Sequence, residues 1–298
     1  MTIYYAAGLI LFASVMFPPS TGAIEIIDPM DLPSRELPQG FGYRYPTLNQ
    51  KGAIFMPLSL VANAFLDREA NPGKEVLEIG AGYSNVSAFA LEKNVGHFTA
   101  NDMSLEHLEI LTTRMKEFFG VESREKFEHL TLWKGKGPED FPSLHGVFDA
   151  ILLDKVLHFF CLEEARDMLA WIYTALKDQG RIYVVTAPIQ NPIYAAFKPL
   201  YEERKVGGEK IPGFFHDIRD NLDEALIPKN VAQLFPDDLL LLDGDSLTML
   251  LEEAGFEVEN HFFMNLPKKD NSIWEQGDPN QYDFLGMIAV KKHKAYPN

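Results

Sequence analysis

Glu75-Val76-Leu77-Glu78-Ile79-Gly80-Ala81-Gly82-Tyr83-Ser84 decides how the rest of this chain is read. A mostly apolar run ending in Gly-x-Gly is the pattern of a buried strand that turns tightly into a helix. With no side chain on either glycine, backbone comes close to a ligand at the carboxyl edge of a sheet. Ser84 is placed to cap the helix that follows, through Leu91. A dinucleotide fingerprint would need a third small residue where Asn85 stands, and no Gly-Lys-Ser/Thr follows for a phosphate-binding loop. Asp102 ends the next strand, twenty positions beyond Gly82. A carboxylate there accepts hydrogen bonds from the two vicinal hydroxyls of a ribose. Turn and acid together describe a site for a nucleoside without a pyrophosphate. The plain alternative makes Glu78 and Asp102 solvated strand-end acids and the glycines simple turn residues.

The flanking residues repeat the alternation of strand and helix. Upstream, apolar residues recur at helical spacing over residues 57–66 and stop at Asn71-Pro72-Gly73. Downstream, residues 97–101 form a second strand, and Ser104 caps a longer helix closed by Gly120. Strands follow at 128–133, 148–153 and 181–186, with a helix over 162–176 before the last of them. Near-continuous apolar strands between helices imply an α/β domain, doubly wound and mostly parallel, with helices on both faces. The rhythm breaks over residues 187–243 and resumes with a helix at 246–253 and strands at 256–264 and 284–290. These make seven strands. The expected organisation is a domain over 57–291 with an insertion at 187–243 after the fifth strand, an arm over 24–56 and a tail over 292–298.

The chain has 298 residues, enough for one such domain with a full core. Its 27 basic residues face 43 acidic ones, a formal net charge of −16. Such a field repels phosphate backbones and anionic lipid, which argues against nucleic acid as a ligand unless a local basic patch exists. The largest basic clusters are only pairs, among them Lys268-Lys269 and Lys291-Lys292. A single cysteine, Cys161, excludes an intramolecular disulfide framework and any multi-cysteine zinc site. Residues 1–23 stand apart: an uncharged, mostly apolar run over 3–17 precedes Pro18-Pro19 and the small residues Thr21 and Ala23. The run is too short to span a bilayer comfortably but suits a signal-peptide core, although no Lys or Arg precedes it. Export, with no stable membrane span after leader removal, is the expectation; a cytoplasmic chain with a buried N-terminal element or an interfacial anchor is the alternative.

At this point the chain resembles a known family, the class I S-adenosylmethionine-dependent methyltransferases. Glu78-Ile79-Gly80-Ala81-Gly82 looks like their first motif and Asn101-Asp102-Met103-Ser104 like the acidic motif after the second strand. Phe148 to His158 resembles their fourth strand and its loop, and Leu176 to Ile182 the entry to their fifth. Glu252-Glu253-Ala254-Gly255-Phe256 resembles the turn before their sixth. The resemblance implies a Rossmann-like seven-stranded sheet and S-adenosylmethionine as cofactor. It implies that Gly80, Ala81 and Gly82 pack backbone against the cofactor and that Glu78 orders the loop near its amino-acid end. Asp102 would bind the ribose hydroxyls, Met103 would lie against the adenine, and Asp154 would sit near the cofactor's amino group and the reaction centre. Where the family often has an acid for the adenine amino group after the third strand, Lys134 and Lys136 flank Gly135 instead.

Methyl transfer from a sulfonium needs orientation and, for a protonated acceptor, a base. His158, in the loop after the fourth strand, is the candidate base, with Asp154 as the second catalytic candidate. The competing reading packs His158 beneath Phe159 and Phe160 as a structural residue. Asp154 could be one ligand of the magnesium that catechol-type relatives use, but Thr186-Ala187-Pro188 stands where the partner ligands belong, so no metal is expected. The insertion carries Tyr194, Phe197, Phe214, Phe215 and Phe235 at the edge where such folds bind ligands. Together with the arm segment at 40–46 it is expected to close over the cofactor as a lid and shape a pocket for a small organic acceptor. The alternatives are a protein methyltransferase or a non-catalytic protein that binds the cofactor. The oligomeric state is not legible.

Overall fold

The computed structural model describes residues 24–40, 44–49, 52–120, 123–222, 225–227, 232, 235–267 and 273–292. Residues 1–23, where a leader is expected, residues 41–43 and 50–51 of the arm and most of the tail lie outside this set. In chain order the strands are β1 (Glu25–Ile27), β2 (Arg44–Pro46), β3 (Ala53–Phe55), β4 (Glu75–Ile79), β5 (His97–Asp102), β6 (Leu130–Lys134) and β7 (Phe148–Asp154). They continue with β8 (Leu176–Thr186), β9 (Phe214–Phe215), β10 (Leu239–Leu240), β11 (Phe256–Asn265), β12 (Glu275–Gln276) and β13 (Phe284–Lys291). The helices are α1 (Leu60–Glu69), α2 (Val86–Glu92), α3 (Leu105–Phe119), α4 (Arg124–Phe127), α5 (Leu162–Ala175), α6 (Lys198–Val206) and α7 (Gly244–Glu253).

One sheet organises the chain, in the order β1-β6-β5-β4-β7-β8-β13-β11-β12. β6, β5, β4, β7 and β8 are mutually parallel, and β13 inserts antiparallel between β8 and β11. The seven strands read from the sequence are all present, and two short ones extend the edges. β1 pairs antiparallel with β6, and β12 with β11, so each covers backbone that an edge strand would leave bare. Runs of three and two residues carry no readable periodicity. The core divides as the two-faced sheet requires. One cluster gathers Val61, Phe65, Val86, Leu108 and Ile110 from α1, α2 and α3; the other gathers Met168, Leu169, Ile172, Leu247 and Leu250 from α5 and α7.

Local chemistry moves several boundaries. Helix α1 starts at Leu60, later than the apolar spacing suggests, because the Ser59 side chain accepts the Ala62 N–H at 3.0 Å and makes Ser59 the cap. Helix α7 starts at Gly244, since Asp243 caps it by accepting the Ser246 N–H at 2.7 Å. The fifth strand begins at Leu176, directly where α5 ends.

The chain reverses direction across the sheet at β4, whose neighbours are β5 on one side and β7 on the other. A crevice opens outside the carboxyl ends of strands at such a switch point. The insertion folds over this edge around a third small core that includes Tyr194, Phe197, Tyr201, Phe215, Leu239 and Leu241. Its β9–β10 pair is pinned at Gly213: Leu241 donates its N–H to Gly213 O at 2.8 Å, and a Cβ on Gly213 would sit 1.8 Å from the Leu241 carbonyl oxygen. Gly213→Ala should therefore cost about 1–3 kcal/mol through overpacking, seen as a lower urea midpoint. An unchanged midpoint would mean that the two segments of the insertion are not held against each other at this residue.

Candidate active site

Three acids stand near the carboxyl ends of three adjacent parallel strands: Glu78 in β4, Asp102 at the end of β5 and Asp154 at the end of β7. The turn after β4 holds Gly80 at φ 68° and Gly82 at φ 54°, backbone that favours glycine. Space excludes side chains there as well. A Cβ on Gly80 would meet Val156 Cγ2 at 2.4 Å, and one on Gly82 would meet Ile54 Cδ1 at 2.6 Å. Ala81 donates its N–H to Asn101 O at 2.7 Å, which ties the turn to β5.

Asp102 is buried and heavily committed. Its Oδ2 accepts the Gly82 N–H at 2.8 Å, while Oδ1 accepts the Ser104 N–H at 2.8 Å and Nδ1–H of His107 at 3.0 Å. A carboxylate offers about four lone-pair sites, so room remains for one further donor, on Oδ2. His107 escaped the sequence reading. Its position one turn past the Ser104 cap, behind the strand-end acid, was the available signal.

Glu78 is buried behind the turn, with Ser84 Oγ donating to its two oxygens at 3.0 and 3.3 Å. Ser84 thus serves the acid and also accepts the Val86 N–H at 3.3 Å at the start of α2, whereas the intervening Asn85 makes no side-chain capping bond. Burial, with the nearby negative charges of Asp154 and Asp102 adding to it, pushes the Glu78 carboxyl up to about 8 against the opposing pull of Ser84 and Lys155.

Asp154 accepts Lys155 Nζ on Oδ2 at 2.5 Å, and its buried Oδ1 has no hydrogen-bond partner among the described residues. Lys155 occupies the left-handed region at φ 63°, uncommon for a residue with a side chain. Its ammonium lies 5.8 Å from the Phe55 ring centre and 5.7 Å from that of Trp274, and these rings meet Phe284 edge-on. Segments far apart in sequence thus house one cation, an arrangement no local pattern signals.

His158 is buried on a short 3-10 turn. Ala187 donates its N–H to His158 Nδ1 at 3.2 Å, which places the ring proton on Nε2. Burial and then the Lys155 charge pull its pKa down to about 3. The ring is neutral at physiological pH, a hydrogen-bond donor at Nε2 and a weak base. It also stacks at a tilt on Phe159, ring centres 4.3 Å apart.

A cavity of about 1060 Å³ joins these groups. Gly80, Gly82, Asp102, Met103, Asp154 and His158 all line it, whereas Glu78 and Ala81 sit behind the wall. Met103 is 57% exposed, an unusual amount for an apolar side chain at a strand end. The arm contributes Arg44, Ile54 and Phe55 to the lining, and the insertion Tyr194, Arg219 and Leu239. No cluster of three or more metal-ligating side chains occurs among the described residues.

The model of a family described as a methyltransferase domain matches residues 76–180, the stretch from β4 into β8 that carries all three acids. Residues 76–180 are thus similar to a methyltransferase domain. Among solved structures, a SAM-dependent methyltransferase from Methanosarcina mazei shares the fold with a TM-score of 0.52 and 17% identity, covering 80% of this chain and 99% of that one. The magnesium protoporphyrin IX methyltransferase of Synechocystis with bound SAH has a TM-score of 0.47 and 17% identity, covering 78% of this chain and 80% of that one. The 1,6-didemethyltoxoflavin-N1-methyltransferase of Burkholderia thailandensis has a TM-score of 0.46 and 18% identity, covering 78% and 77%. No curated protein matches the chain by sequence.

The buried acid makes this domain sensitive to pH. The folded state keeps Glu78 protonated to about pH 8, while the unfolded chain releases the proton near 4.5. Across that window the folded state binds more protons, so stability falls as pH rises. The burial is unpenalised below 4.5 and costs about 3 kcal/mol by pH 7. Glu78→Gln removes the ionisation, so urea unfolding of the variant should depend less on pH between 5 and 8 than that of the wild type. Parallel profiles would contradict a protonated Glu78.

Proposed function

We propose that this domain transfers a methyl group from S-adenosylmethionine to a small organic acceptor. The observation that carries the reading is the cavity itself: the glycine turn forms one wall, and arm and insertion form the others. Its volume lies at the top of the range of roughly 300–1,000 Å³ usual for small-molecule sites, which leaves space for an acceptor beside the cofactor. The aromatic rings of Phe55, Phe159 and Tyr194 supply apolar surface for that acceptor.

The residues present fit the cofactor. Gly80 and Gly82 bring bare backbone to the cavity wall, Asp102 Oδ2 keeps one acceptor site for a ribose hydroxyl, and Asp154 Oδ1 is a buried acceptor that lacks a donor among the described residues. When bound, S-adenosylmethionine supplies an electrophilic methyl group on a sulfonium whose thioether is a ready leaving group. Asp102 and Asp154 offer negative charge to a cationic ligand, and Met103 offers an exposed thioether surface to a purine. His158 supports the acceptor as a donor through Nε2–H; with its basicity this low, Asp154 is the better candidate to receive a proton from a hydroxyl or ammonium acceptor. The insertion acts as the acceptor-side lid in this reading.

Calorimetry on the purified chain should show binding of S-adenosylmethionine and S-adenosylhomocysteine but not of NADH. Asp102→Asn keeps the shape of the side chain but replaces one acceptor with a donor. It should weaken S-adenosylhomocysteine binding by about 1.5–3 kcal/mol, the worth of a hydrogen bond to a charged group. Unaltered affinity in a folded variant, or binding of NADH alone, would overturn the assignment. With labelled cofactor and a cell extract, label should enter the low-mass fraction. Label confined to protein would refute the small-molecule acceptor.

A further inference from the structure

Asp102 faces the cavity on one side and is gripped on the other by a residue that also reaches the N-terminal arm. His107 is buried in the first turn of α3. The Leu48 N–H donates to its Nε2 at 3.1 Å, and its Nδ1 lies 3.0 Å from Asp102 Oδ1. A backbone N–H can donate only to a ring nitrogen without a proton, so the proton of the neutral ring sits on Nδ1 and is given to Asp102. One imidazole therefore ties the carboxylate to the arm, and the Tyr83 ring, edge-on at 5.6 Å, holds its plane.

The rest of the seam runs along the same turn. Tyr83 OH donates to Pro46 O, and Asn85 Nδ2 donates to Met56 O at 3.2 Å. Arg114 fixes both residues from behind through Tyr83 O and Asn85 Oδ1. The Ile54 side chain fills the space that a side chain on Gly82 would need. Pro46, Leu48, Ile54 and Met56 of the arm thus rest on Tyr83, His107, Gly82 and Asn85 in turn.

We propose that His107 is a positioning residue that couples occupancy of the cofactor cleft to the seating of the arm. The inference rests on the reading of Asp102 as the acid that meets the ribose. A donor arriving at Oδ2 finds the carboxylate held in the orientation that His107 and the Ser104 N–H impose. The same ring keeps its acceptor aimed at Leu48 only while Nδ1 has Asp102 to donate to. By linkage, whatever orders Asp102 orders the arm, and a seated arm strengthens binding at Asp102 by the same factor.

The two halves of the ring can be tested separately in the full chain. In His107→Asn the side-chain amide takes the place of Nδ1–H and still donates to Asp102, but ends short of Leu48. In His107→Gln the side-chain oxygen reaches the place of Nε2 and accepts from Leu48, but leaves Asp102 without its donor. Affinity for S-adenosylhomocysteine is read by calorimetry, and arm seating by hydrogen exchange of the peptide that contains Leu48. In the wild type the ligand should slow that exchange. The Asn variant should lose in affinity the same factor, about threefold, by which ligand slows the wild-type exchange, and should exchange the arm about tenfold faster with no response to ligand. The Gln variant should keep the arm protected and lose about tenfold or more in affinity. Wild-type behaviour in both variants, or equal loss of both readouts in both, would overturn the coupling. If the wild type does not bind S-adenosylhomocysteine at all, the cofactor reading fails; arm exchange in the two ligand-free variants still decides whether His107 holds the arm.

Discussion

A carboxylate at the end of β5 holds three donors at once: the N–H of Gly82 from the turn after β4, the N–H of Ser104 at the start of α3, and Nδ1–H of His107 one turn along that helix. One donor comes from the turn after β4 and two from the start of α3. Without the acid, the Gly82 N–H would point into a buried space with no acceptor, and an unmade hydrogen bond there costs on the order of 1–3 kcal/mol. Asp102 therefore shapes the glycine turn as well as facing the cavity. For that reason truncation to alanine would confound loss of a ligand contact with collapse of the turn.

Electrostatics around that point follow from burial. Glu78, Asp102 and Asp154 crowd one edge of the sheet, with Lys155 ion-paired to Asp154. Desolvation, with the like charge of Asp154 and Asp102 adding to it, keeps Glu78 in its neutral form. The excess of negative charge suits a ligand that carries a sulfonium and an ammonium. The Lys155 ammonium lies over the rings of Phe55 and Trp274, whose faces attract a cation, and Phe284 meets both rings edge-on.

What could be read from the sequence was whatever local periodicity writes there. Val76 to Ile79 is apolar because β4 is covered on both faces, and the glycines follow because backbone must turn there with positive φ. Asp102 and Asp154 were visible because each ends such a run. The alternation of parallel strands with helices, the break at the insertion and a nucleoside site without a pyrophosphate followed from these signals. His107 was invisible because its role depends on Leu48, distant in the chain, and a lone histidine on a helix carries no pattern. The rings around Lys155 come from β3, β13 and the segment before β12, and no window contains them all. Ser84 has the type and place of a helix cap and does accept the Val86 N–H; that its hydroxyl proton goes to the buried Glu78 is a tertiary fact with no local pattern. The edge strands β1 and β12 exist because neighbouring backbone offers partners, a tertiary cause with no sequence period.

The central claim is that a glycine turn fastened to Asp102 forms a cleft for a nucleoside cofactor beneath the arm. A crystal structure of the full chain grown with S-adenosylhomocysteine tests it most directly. The account places the ribose over Gly80 and Gly82, one hydroxyl within hydrogen-bond distance of Asp102 Oδ2, and the Gly82 and His107 contacts of that carboxylate intact. A nucleoside bound away from the turn, or an Asp102 side chain that has left Gly82 and His107 to meet both hydroxyls, would contradict it.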